Sequence, residues 1–142
     1  MDPEELLPQT VLSKASLRGK EYAWRKDDVE EAILAAKKQN LATQGGEVQF
    51  RIPGGTCELY WLNFNPDDKS DSEIWQDYVV RSAHECITNF NRLCMTTDFV
   101  KLGKEKFEVL QKMSETEDIS AYLRFVLYFV TEEQYKGLTL SD

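Results

Sequence analysis

The chain predicts an α+β fold in which helices pack on one face of a mainly antiparallel sheet. Three observations carry that expectation. Apolar residues recur at helical spacing in "DDVEEAILAAKKQN" and again from about Ser72 to Cys94, the period falls to two across "GGEVQFRIPGGTCELYW", and "FVLYFV" near the C-terminus is rich in aromatic and β-branched residues. The 142 residues suffice for one core. Residues 1–20, with Pro3, Pro8, Gly19 and no sustained period, are expected to form an irregular arm, and residues 21–142 a single α+β domain.

A short strand is expected near "KEYAW". In the first helix Asp27 stands as the cap, and Glu30 three residues later completes an Asp-x-x-Glu capping box. Acidic residues crowd the first turn, and Lys37 and Lys38 the last. Val29, Ile33 and Ala36 mark the buried stripe.

The next segment predicts a hairpin of strands 47–52 and 57–64. With Gly54-Gly55 as a two-residue loop, Ile52 faces Cys57, Arg51 faces Glu58, Phe50 faces Leu59, Gln49 faces Tyr60 and Val48 faces Trp61. One face is then apolar, and the other carries an opposite-charge pair. A phosphate-binding reading of Pro53-Gly54-Gly55-Thr56 fails, because such a loop leads from a strand into a helix and commonly supplies a Lys; here both flanks are strands.

After "NFNPDDKSDS", the long helix carries Trp75, Val79, Ser82, Ala83, Cys86, Phe90 and Leu93 on one stripe, with Ser72 as its candidate cap. A further helix follows Thr97 or Asp98, turning Phe99, Leu102, Phe107, Leu110 and Met113 inward. Gly103 weakens its middle by ~1 kcal/mol relative to Ala. Residues 119–123 predict a helical turn leading into a central strand, and "TEEQYKG" a short helix or tail.

Composition narrows the function. Seventeen Lys and Arg against 25 Asp and Glu give a net charge of −8, which repels a phosphate backbone and argues against nucleic-acid binding. The acidic opening is unlike a secretory signal, and no apolar run reaches the ~18 residues of a membrane span. Three cysteines, an odd number, suit a reducing compartment, so a cytoplasmic protein is expected.

Candidate chemistry is sparse. Cys86 and Cys94, eight residues apart on one helix, would lie ~12 Å apart, too far to share a zinc ion. His84 is the only histidine, and position 88 after His84-Glu85 is Thr, so no zinc-protease motif forms. "DDKSDSEIWQDY" lacks the Gly and Glu of a calcium loop. Neither a metal nor a cofactor is expected. Cys57 with His84 is the one candidate nucleophilic pair, although the hairpin register turns Cys57 toward the core. What remains is the acidic stretch Asp67, Asp68, Asp71, Glu73 and Asp77, a solvated helix approach or an anionic patch for a basic protein surface. Tyr60, Tyr78 and Trp24 are the aromatic residues expected to lie outside the core beside it.

The stretch "WRKDDVEEAILAAKKQNLATQGGEVQFRIPGGTCELYW", and more broadly Trp24 to Val130 in size, charge and element order, resembles small acidic bacterial immunity proteins. These are single cytosolic α+β domains encoded beside a toxin that they bind and neutralise. The resemblance implies a non-enzymatic role with a cognate basic toxin as partner, in many cases a nuclease whose cleft a negative protein can occupy. The contact surface would then be Asp67, Asp68, Asp71, Glu73, Asp77, Tyr78 and Tyr60. A small hydrolase using Cys57 or a carboxylate pair, and a housekeeping adaptor, are the competing classes.

Overall fold

The structure, a computed structural model, describes residues 2–140, with side chains to Leu138. Five strands form one antiparallel sheet: β1 (Ser16–Arg18), β2 (Glu21–Trp24), β3 (Ala42–Ile52), β4 (Gly55–Asn63) and β5 (Leu123–Val130), in the order β1-β2-β5-β3-β4. The run rich in aromatic and β-branched residues is thus the central strand. A 3-10 turn, Ile119–Tyr122, leads into it.

Helices α1 (Gln9–Leu12), α2 (Val29–Lys38), α3 (Trp75–Thr96), α4 (Phe99–Lys106), α5 (Glu108–Met113) and α6 (Glu132–Leu140) complete the fold. Period two along the strands puts Val48, Phe50, Cys57, Leu59, Phe125 and Leu127 on one face. There they form one cluster with Ile33 of α2, Ala83, Cys86 and Phe90 of α3, and Phe99 of α4. Burying such a set is the main stabilising term of the fold. No helix among the described residues is long and apolar enough to cross a membrane.

The hairpin register differs from expectation by two residues. Ile52 faces Gly55, Arg51 faces Thr56, Phe50 faces Cys57 and Gln49 faces Glu58, so the loop is Pro53-Gly54. Pro suits the first central turn position and lacks the N–H a paired strand would use, while Gly54 takes the positive φ of 84°. A two-residue slip preserves the side-chain parity, so the apolar face survives. The expected Arg51–Glu58 pair does not form; Gln49 Nε2 donates to Glu58 Oε1 instead (3.1 Å).

Arg51 is buried on the face opposite the helices. Its Nε donates to Gln49 Oε1 (2.9 Å), Nη1 to the Ser16 carbonyl (2.6 Å) and Nη2 to the Glu21 carbonyl (3.1 Å). Arg18 reciprocates, donating to the carbonyls of Gly55 (2.6 Å) and Ile52 (2.9 Å). Two arginines therefore clasp the β1–β2 hairpin to the β3–β4 hairpin, from opposite edges of the sheet.

Residues 2–20 carry more regular structure than expected. A 3-10 turn at Pro3–Leu6, α1 and β1 lie along them, Leu7 and Val11 enter the core, and Trp24 Nε1 donates to the Val11 carbonyl (3.0 Å). Asp27 does not cap: residues 26–28 form a 3-10 turn, and α2 starts at Val29 without a side-chain cap. Asp98 does cap α4, accepting from the Lys101 N–H (3.1 Å). Gly103 serves contact rather than merely weakening a helix, since a Cβ there would lie 2.8 Å from Phe50 Cε2. The helix expected from Thr97 or Asp98 breaks in two at Phe107, whose backbone is extended.

Candidate partner-binding surface

The acidic segment between β4 and α3 has almost no regular structure, yet its backbone is held from α3, by Arg81, Glu85 and Asn89. Arg81, two turns into α3, grips Glu73 with two bonds, Nε to Oε2 (2.7 Å) and Nη2 to Oε1 (2.9 Å). It also donates to Glu85 Oε1 (2.8 Å) and to the carbonyls of Asp67 and Asp68 (both 3.1 Å). Glu85 Oε1 in turn accepts from the Asp67 N–H (2.9 Å). Planar, forked guanidinium geometry is what allows one side chain to satisfy so many oxygens.

This arrangement divides the expected site residues. Glu73 is spent inside the molecule, and Ser72 does not cap α3, which begins at Trp75 with Ile74 in the cap position. Asp67, Asp68, Asp71 and Asp77 are exposed, the first two on the backbone that Arg81 holds and Asp77 in the first turn of α3. Tyr78 is not exposed: only 4% of its surface is accessible, because its ring packs against Trp75 (5.5 Å) and Tyr135 (5.9 Å). Trp24 likewise is fully buried, in the main core.

Tyr60 is 80% exposed but belongs to another patch. It meets Trp61 edge-on (5.2 Å) at a groove of about 430 Å³ completed by Lys106 and Phe107. A second groove, about 460 Å³, lies between the start of α3 and α6 and includes Asp71, Ile74, Trp75, Glu132 and Tyr135. Sequence reasoning missed Arg81, Glu85, Ile74 and Tyr135. The spacing of Arg81 and Glu85, one helical turn apart, was the available signal for the first two; none existed for Tyr135, which meets Trp75 only through the fold.

The candidate nucleophile fares poorly. Cys57 is buried beside Phe50, and burial pushes its thiol above the ordinary value, away from the reactive thiolate. Burial pushes Cys86 further, to about 12. His84 is exposed on α3. Among the described residues no group of three or more His, Cys, Asp or Glu is placed to hold a metal ion.

The Arg81 hub predicts how the segment responds to acid. The Arg81 hydrogen bond holds the Glu73 carboxyl below its ordinary value of 4.5. A depressed carboxyl stabilises the fold above its unfolded value and loses that contribution as pH falls through the folded one. Trp75 fluorescence is therefore expected to stay constant down to about pH 4.5 and to change below it as the segment loosens, with no such step in Glu73→Gln. A step of the same size in Glu73→Gln would assign the transition to another group.

Comparison with protein-family models, with curated proteins and with solved structures yields no match.

Proposed function

We propose that this protein acts by binding: it neutralises a basic bacterial toxin in the cytoplasm by placing a fixed acidic surface against the toxin's cationic site. The supporting observation is the anchored segment. Arg81 immobilises the backbone at Asp67 and Asp68, while Asp67, Asp68, Asp71 and Asp77 keep their carboxylates in solvent. A prearranged anionic surface gains twice. It steers a cationic partner during approach, and little chain entropy remains to be lost on docking. A nuclease is the toxin class whose phosphate-binding cleft best complements such a surface.

The toxin is expected to be encoded by the adjacent gene, lethal when expressed alone and harmless when this protein is co-expressed. In a purified pair, reversing Asp67, Asp68 and Asp71 to Lys is expected to slow association by roughly tenfold at low salt and to flatten its salt dependence. An adjacent gene product without toxicity would refute the neutralisation reading. Unchanged association kinetics in the triple variant would remove this segment from it.

A further inference from the structure

The face of the sheet turned away from the helices gathers positive charge. Four of the six arginines, Arg18, Arg25, Arg51 and Arg124, lie on it. Arg18 and Arg51 are held there by their bonds to strand carbonyls, and the register Gln49↔Arg124 sets Arg124 beside the Gln49 amide that accepts from Arg51 Nε. Trp24 pairs with Phe125 in the core, and Arg25 continues the extended backbone (φ −69°, ψ 158°), so alternation turns it to the open face opposite Arg124. None of the four makes an ion pair among the described residues, in a chain with 25 Asp and Glu.

Carboxylates on this face are turned to neutral partners instead. Glu21 Oε2 accepts from Tyr128 OH (2.5 Å), and Glu58 Oε1 from the Gln49 amide. The carbonyls that hold the arginines fix their direction and leave their charge uncompensated. Arg51 is 6% exposed; burial, joined by the charges of Arg18 and Arg124 and opposed by Glu21, holds its pKa below the ordinary value. Burial and the Arg25 charge do the same to Arg124. Like charges opposite one another weaken a sheet, and a buried cation without a counter-charge is costly; departures of this kind concentrate at functional positions. Donors also remain. Arg124 spends only Nη1, on the carbonyls of Ala121 and Leu123 (both 2.8 Å), leaving Nε and Nη2, and the Arg25 side chain makes no hydrogen bond among the described residues.

We propose that Arg25 and Arg124 form an oxyanion site on the open face of the sheet, with Arg51 as a fixed buried charge beside them, and that its ligand is a small molecule bearing a phosphate group. Adjacent strands lie ~4.8 Å apart, so two guanidinium forks side by side can both reach the oxygens of one phosphate. A doubly charged group also offsets the mutual repulsion of the arginines, which a single carboxylate does only in part. Size is set by the rest of the molecule. A long polyanion meets the net charge of −8, whereas a small ligand responds mainly to charges within one screening length, ~8 Å. The site lies across the sheet from α3, which holds the acidic segment, and does not rest on the toxin-binding reading.

The test is calorimetric titration of the full chain with inorganic phosphate and with pyrophosphate, against sodium chloride at matched ionic strength. Both phosphates are expected to bind saturably and to raise the melting temperature, and chloride to do neither. Arg25→Gln is expected to weaken binding by about tenfold, the loss of charge-assisted hydrogen bonds. It removes a like charge and no internal bond, so its melting temperature without ligand is expected to be unchanged or higher. Arg124→Lys keeps the charge but not the fork and is expected to lose affinity by a similar factor. Arg92→Gln, at an exposed arginine of α3, is expected to bind as the wild type does. Absence of saturable binding by either phosphate would overturn the site. Equal weakening in Arg25→Gln and Arg92→Gln would do so too, by tracing the effect to overall charge.

Discussion

Gly46→Ala is expected to lower the free energy of unfolding by about 3 kcal/mol, the upper range of overpacking effects, and the melting temperature by roughly 10 °C. A Cβ at this position would lie 2.1 Å from Phe64 Cζ and 2.7 Å from the Val126 carbonyl oxygen. Neither neighbour can yield cheaply. Val126 O is backbone of the central strand, and Phe64 is held edge-on between Phe90 (5.2 Å) and Phe125 (6.2 Å). The same contact matters for function, because Phe64 and Asn65 lead directly into the acidic segment and Asn65 Oδ1 accepts from the Gly46 N–H (3.1 Å). Gly55→Ala, where an added Cβ meets nothing within 4 Å, is the matched control and is expected to be close to neutral. Urea unfolding of both variants checks this, and a loss below about 1 kcal/mol for Gly46→Ala would contradict the close packing of Phe64.

Arg51→Met is expected to cost about 3 kcal/mol, because the carbonyls of Ser16 and Glu21 and the amide oxygen of Gln49 lose their donor in a largely water-excluded place. Methionine preserves much of the side-chain bulk, so the loss reports the hydrogen bonds rather than a cavity. Arg51→Lys is expected to recover less than half of it, since one ammonium cannot bridge two strands and a side-chain amide as the guanidinium fork does. Amide hydrogen exchange should place the weakening in residues 16–24, where the clasp holds the β1–β2 hairpin. Uniform acceleration across the sheet would mean that the clasp stabilises the molecule only globally.

These two residues also mark where the sequence stops being legible. The α2 stripe, the hairpin, the start of a helix after Asp98 and the strand through Phe125 to Val130 rest on spacing within a few residues, and each is present. In the sequence Gly45-Gly46 is only a glycine pair that precedes the alternating run. Its actual role, admitting Phe64 and Asn65, depends on where the chain returns after β4. Arg51 reads as half of an exposed cross-strand ion pair, because alternation places it on the polar face; the β1–β2 hairpin that buries it comes from the other edge of the sheet. Tyr78 reads as an exposed anchor until α6 brings Tyr135 against it.

The acidic surface divides in the same way. The sequence alone locates the carboxylates of residues 67–77 and their sign, and it determines the α+β class, the antiparallel hairpin and the helix faces, since charge and periodicity are properties of neighbours along the chain. Only the tertiary structure decides that Glu73 turns inward to Arg81, that Asp67 and Asp68 stand on a fixed backbone, that Tyr60 lies on a separate groove and that Ile74 stays exposed between α3 and α6. Burial and hydrogen-bond partnership arise between segments distant in the chain, and no local pattern encodes which distant group arrives.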